Sequence, residues 1–247
     1  FFESPSNPMQ EIVDIAAVSE LAHAAGATVV VDNVFATPLL QRCGDLGADV
    51  VVYSGTKHID GQGRVLGGAI LGTREFIDGP VKQLMRHTGP ALSAFNAWVL
   101  TKGLETMALR VNHSSASALR LAEWLEGQPA VGWVKYPLLP SHPQYRLAVQ
   151  QMKAGGTVLT LELQPSPGRT AKQAAFALLD ALRIIDISNN LGDAKTLITH
   201  PATTTHRAMG PEGRAAIGLS DGVVRLSVGL EDVADLIGDL GQALKQV

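Results

Sequence analysis

The sequence predicts an α/β fold in which a parallel sheet flanked by helices is joined by a long helical stretch to a smaller α+β domain. Three observations carry this reading. Two short, continuously apolar, β-branched runs, TVVVD (28–32) and ADVVVYS (48–54), have the pattern of strands buried on both faces. Residues 93–126 keep a 3.6-residue apolar rhythm for longer than one ordinary helix. Beyond them the chain turns to Pro-rich loop, separate strands and amphipathic helices. At 247 residues and 46% hydrophobic, it has the apolar material for such a core.

The first helix is expected over about 10–25, where Ile12, Ile15, Ala16, Val18 and Ala22 recur at helical spacing and Gly26 follows as a C-cap. Strand 28–32 comes next. TPLLQRCGDLGA has room for two helical turns before strand 48–54, and a helical crossover between two such strands makes them parallel. GGAILG is a third strand whose direction the sequence leaves open. Within 93–126, Gly103 and the Ser114–Ser117 patch are the expected bends. Further on, PLLPSHP reads as loop, GTVLTLEL and VVRLSVG as strands, AKQAAFALLDAL and EDVADLIGDLGQAL as helices. The division falls inside the long helical stretch, with residues 1–115 the C-terminal part of the larger domain and 116–247 the smaller one. The opening on Phe1 and Phe2, inside a strand-like run, predicts that the sequence is the latter part of a longer protein.

A net charge of −3 offers no basic face, and no Lys/Arg cluster alternates with aromatics, which argues against a nucleic-acid partner. No apolar run reaches spanning length, and FFESPSNP has no basic n-region. The single cysteine, Cys43, fits a reducing compartment and packing inside a small helix, so the expected location is cytoplasmic. His200 and His206 have no acidic or thiol partner at ligand spacing, so no metal is expected. Trp98, Trp124 and Trp133 are expected to pack.

Open α/β sheets bind ligands at the carboxyl ends of their strands. Asp32 ends one strand, and Ser54, Thr56 and Lys57 follow the end of the next, in YSGTKHIDGQGRVLGG. Singly, each has a plainer reading as a turn residue or a solvated charge. Together they put a carboxylate, two hydroxyls and an amine on one rim. That set suits a ligand with a basic ring nitrogen, a phosphate and an aldehyde, namely pyridoxal phosphate: Lys57 for the Schiff base, Asp32 for the pyridine nitrogen, Ser54 and Thr56 for the phosphate.

ESPSNP, DNVFATP, YSGTKHIDGQGRVLGG, LSAFNAWVLTKGLETMALR, THPATTTH and GLSDGVVRLSVGLED together resemble the Cys/Met-metabolism (trans-sulfuration) family of pyridoxal-phosphate enzymes. The resemblance runs the length of the chain and implies the fold-type I transferase architecture. It assigns Lys57 as the catalytic, cofactor-bearing lysine and Asp32, Ser54 and Thr56 as cofactor contacts. It further implies that Asn7 lies near cofactor and substrate, and that Arg225 grips the substrate α-carboxylate with Asn190 nearby, where many relatives have serine. Within the family, DGQGR, SNNLGD and THPATTTH look most like the O-succinylhomoserine sulfhydrylase branch. That branch implies replacement of succinate by sulfide to give homocysteine for methionine biosynthesis. Cystathionine γ-synthase, O-acetylhomoserine sulfhydrylase and methionine γ-lyase chemistries are the alternatives, and a non-catalytic scaffold relative is the alternative of another class. Arg64 stands where relatives have Asp, and suggests a cation for the distal succinyl carboxylate. The resemblance also implies a homotetramer built as a dimer of dimers, with a ring-stacking tyrosine and further phosphate contacts in a portion preceding Phe1.

Overall fold

The computed structural model describes residues 1–247. Its first sheet has four strands, β1 (Phe2–Glu3), β2 (Val30–Asp32), β3 (Val50–Ser54) and β4 (Gly68–Leu71), in that order. β1, β2 and β3 are parallel, and β4 returns antiparallel to β3. Helix α1 (Ile15–Ala24) starts where Asp14 accepts the Ala17 N–H at 3.0 Å, a side-chain N-cap. The expected start near residue 10 does not hold. Distant side chains claim the backbone there: Gln144 Oε1 accepts the Ile12 N–H at 2.8 Å and Ser4 Oγ the Val13 N–H at 3.1 Å. α2 (Thr37–Leu40) and a 3₁₀ turn that buries Cys43 fill the crossover to β3.

After α3 (Arg74–Phe76) and α4 (Lys82–Thr88), α5 (Ala94–Glu126) runs for 33 residues without a break, capped by Ser93, whose Oγ accepts the Asn96 N–H. Neither expected bend occurs. Gly103 instead permits a close approach, since a Cβ there would lie 2.1 Å from the Ile59 carbonyl oxygen. Ser114, Ser115 and Ser117 are buried, and Ser114 Oγ donates to the Gly229 carbonyl at 2.7 Å. Both features keep side chains small where other segments press on the helix.

The second sheet comprises β5 (Val131–Lys135), β6 (Val158–Leu163), β7 (Asp186–Ile187), β8 (Leu197–Thr199) and β9 (Val223–Ser227), in the order β5-β6-β9-β8-β7. α6 (Tyr145–Gln151), α7 (Ala171–Ala181), α8 (Gly210–Ala216) and α9 (Val233–Leu244) complete this half. Its core cluster of 25 buried residues is drawn entirely from residues 118–244, so this half has a core of its own. β9 is central and buried throughout, and Arg225 is only 2% accessible. Trp124 and Trp133 pack against core clusters, but Trp98 is 59% exposed beside Phe95, contrary to expectation.

Residues near the N-terminus lie against the second half. Thr160 Oγ1 donates to the Pro8 carbonyl at 2.5 Å, and His142 Nε2 lies 3.0 Å from the Gln10 carbonyl. These bonds bring Asn7 to β9. No helix is long and apolar enough to cross a membrane.

Candidate active site

β3 ends at Ser54, and the chain enters a turn over Gly55–Ile59 whose backbone leaves helical geometry at Lys57 (φ −91°, ψ −122°). The Gly55 and Thr56 N–H groups both donate to the Gly67 carbonyl, and Thr56 Oγ1 bridges Gly67. The turn sends the Lys57 side chain to the second half, where Nζ lies 2.5 Å from Asn190 Oδ1. Burial chiefly, and then the positive charge of Arg225, hold the Lys57 amine below the usual lysine range. A lysine so placed has more of the neutral, basic amine at a given pH.

Arg225 projects from the middle of β9. Its Nη1 donates to Asn7 Oδ1 at 2.9 Å, and its Nη2 to the Asn189 and Asn190 carbonyls at 2.9 and 3.2 Å, while Nε is buried with no partner. None of the ion pairs of the chain includes it. Burial pulls its pKa down to about 10. A desolvated guanidinium without a counter-ion is costly, and a carboxylate is the partner that its planar fork accepts best. The backbone of Asn7 is held in turn: its N–H donates to Glu3 Oε1 at 3.0 Å, and its carbonyl lies 3.1 Å from His206 Nε2.

Asp32 ends β2. Because Asp32 is in register with Val52 of the parallel neighbour, Ser54 lies two residues further along the same sheet edge, which places both on one rim. One Asp32 oxygen accepts the Val34 N–H at 3.0 Å. Burial raises its pKa despite that bond, and it has no ion-pair partner. A half-buried carboxylate lacking a cation is suited to a protonated ring nitrogen. With the amine of Lys57, the hydroxyls of Ser54 and Thr56 and the unpaired fork of Arg225, the donor set fits pyridoxal phosphate carrying an amino acid. The structure therefore brings Lys57, Asn190, Arg225 and Asn7 together through hydrogen bonds and charge, and sets Asp32, Ser54 and Thr56 along the adjoining strand ends. No hydrogen bond joins Asp32 to Lys57.

Arg64 is committed elsewhere. Its Nε pairs with buried Asp60 Oδ1 at 2.9 Å, its N–H donates to Asp60 Oδ2 at 2.6 Å, and its Nη2 donates to the Asp60 carbonyl at 2.9 Å. It still borders an open cavity of about 430 Å³ with Thr56, Phe95, Asn96 and Asn190. Sequence reasoning missed His58, His206 and the Asn189 carbonyl. His58 is buried, with Nε2 2.8 Å from Thr157 Oγ1, and its only sequence signal is adjacency to Lys57. His206 stands in the TTTH segment, where nothing in the spacing points to its contact with the Asn7 carbonyl. Both ring nitrogens of His200 are engaged, with Thr203 Oγ1 and the Asp221 carbonyl.

A family model described as Cys/Met metabolism PLP-dependent enzyme matches residues 1–245. An O-succinylhomoserine sulfhydrylase of Mycobacterium tuberculosis (strain H37Rv) is 75% identical over 244 residues, covering 99% of this chain and 60% of that protein. An L-methionine gamma-lyase of Pseudomonas putida is 45% identical over 246 residues, with 99% and 61% covered. The crystal structure of cystathionine gamma synthase from Xanthomonas oryzae pv. oryzae, in complex with aminoacrylate and cysteine, superposes with a TM-score of 0.94 at 38% identity. It covers 99% of this chain and 62% of its own. The chain thus spans about 60% of the length of the curated relatives it matches. With its two sheets of this fold type and a lysine at the expected strand end, the chain belongs to the Cys/Met metabolism family of PLP-dependent enzymes.

Proposed function

We propose that the complete protein replaces the succinyl group of O-succinylhomoserine with sulfide, releasing succinate and forming homocysteine for methionine biosynthesis. The observation that carries this choice is the gap in identity between the sulfhydrylase and the lyase of the same family. The split into domains 1–115 and 116–247, a homotetrameric assembly and a cytoplasmic location belong to the same proposal.

Pyridoxal phosphate, when bound, supplies an aldehyde for covalent capture of the substrate amine and a ring that draws electrons from the adjoining carbons. The residues have the remaining work. Arg225 binds the α-carboxylate through the fork that is otherwise uncompensated, with Asn7 orienting it. Asp32 would keep the ring nitrogen protonated, and Ser54 and Thr56 would hold the phosphate. Lys57 Nζ, whose pKa burial lowers, would take the proton from Cα, release it, and then take one from Cβ as succinate leaves Cγ. Sulfide adds at Cγ, and protons return to Cβ and Cα from the same amine. Asn190 Oδ1 holds that amine between transfers.

Product analysis with O-succinylhomoserine and either sulfide or cysteine tests the reading. Homocysteine from sulfide is expected, with no turnover in Lys57→Ala. Cystathionine as the principal product, or appreciable activity in Lys57→Ala without added amine, refutes it.

A further inference from the structure

We propose that Arg110 is the positioning residue of the Lys57 amine: its guanidinium clamps the lysine-bearing turn onto α5 and so aims Nζ at Asn190. This rests on the reading of Lys57 as the reactive amine. The turn has to end abruptly. Asp60 N–H closes on the Gly55 carbonyl at 2.9 Å and Gly61 N–H on the Lys57 carbonyl at 2.7 Å, which leaves the carbonyls of His58 and Ile59 facing the helix. Arg110, on α5, meets both. Its Nη1 donates to the His58 carbonyl at 2.9 Å, and its Nη2 to the Ile59 and Gly103 carbonyls at 3.4 and 2.8 Å. Its Nε donates to Thr106 Oγ1 at 3.1 Å, one turn back on the same helix. A single rigid fork thereby ties the two residues after Lys57 to the helix backbone.

The surroundings are shaped to this fork. Gly61 has φ +68°, and a Cβ there would stand 1.8 Å from Arg110 Nη1. The bare face at Gly103 lets Ile59 reach the helix. On the far flank the Asp60–Arg64 pair braces the loop that follows. The side chain of His58 is anchored to Thr157, just before β6, so the turn is fixed on both sides and Lys57 is left to project between them. A lysine at 110 keeps the charge but has one nitrogen in place of the planar fork, so it cannot reach the acceptors that Nε, Nη1 and Nη2 meet separately.

The test uses the full-length protein loaded with pyridoxal phosphate, with Arg110→Lys and, as a milder variant, Thr106→Val, an exposed position. For Arg110→Lys the expected result is a kcat lowered roughly 10- to 100-fold, the scale of a misplacement of about 1 Å, with KM for the amino-acid substrate within about threefold. The pH titration of the bound cofactor's absorbance band should also shift from wild type, which a purely structural role would leave unmoved. Wild-type kcat and titration in Arg110→Lys overturn the proposal, as does an effect confined to thermal unfolding. If Arg110→Lys does not fold, Thr106→Val decides: a smaller kcat loss at unchanged KM supports the clamp, and no loss overturns it. Absence of a borohydride-sensitive band in the wild type would defeat the reading of Lys57 and this proposal together. A normal wild-type band with unaltered Arg110→Lys behaviour defeats this proposal alone.

Discussion

Gly103→Ala sets two well-characterised effects against each other. In the interior of a helix, alanine is favoured over glycine by about 1 kcal/mol, so propensity alone makes this substitution stabilising. The structure argues the reverse. The new Cβ would lie 2.1 Å from the Ile59 carbonyl oxygen and 3.3 Å from that of Asp60, both backbone atoms that cannot rotate away. Relief requires the helix and the lysine turn to part by about 1 Å, and overpacking of this kind costs about 1–3 kcal/mol. It also stretches the Arg110 bonds to the His58 and Ile59 carbonyls, which span the same gap. The net expectation is a destabilisation of about 0–2 kcal/mol, accompanied by loss of turnover larger than the stability change explains. Urea unfolding of the full-length protein gives the first quantity and steady-state kinetics the second. A Gly103→Ala protein that is more stable than wild type and fully active refutes the argument.

Arg225→Lys removes a fork whose bonds reach Asn7 and the 189–190 backbone, and should lower kcat/KM roughly 10- to 100-fold, the value of a charge-assisted hydrogen bond, as read by initial-rate kinetics. Burial, followed by the charge of Arg110, lowers the His58 pKa from 6.5 to about 4. The unfolded chain therefore binds the extra proton first as pH falls, and the folded state loses roughly 2 kcal/mol from this group between pH 7 and pH 5. Urea midpoints at the two pH values should fall further for wild type than for His58→Gln, and equal falls would contradict this assignment. Asp239 is desolvated, yet three amides, those of Arg183, Ile184 and Ile185, hold its carboxyl below the usual range. Its stabilisation is present above the unfolded pKa and lost as pH falls through the folded one. Asp239→Ala should cost about 1–3 kcal/mol at neutral pH, measured by the same unfolding assay.

What was legible in the sequence, and what was not, follows from how far each feature reaches along the chain. β2 and β3 announce themselves because strands buried on both faces need unbroken β-branched runs, and their ends then locate Asp32, Ser54 and Lys57 within a few residues. β7 and β8, at two and three residues, are too short to carry a period. The start of α1 is not legible locally because Gln144, more than 130 positions away, satisfies a backbone group that a helix would otherwise use. Gly103 reads as a bend for the same reason: the carbonyl that requires its bare face belongs to another segment. The guanidinium proposed to bind the substrate carboxylate is the extreme case, since Arg225 meets Asn7 across 218 positions and Asn190 across 35. Only the resemblance to relatives could connect these positions in advance, because spacing alone carries no sign of the contact. Lys57 stands at the meeting point of the two kinds of information. Its identity comes from a local strand end, while its lowered basicity comes from a second sheet folded over it. A variant that loosens the contact between these halves should therefore change the chemistry of Lys57 before it changes the fold.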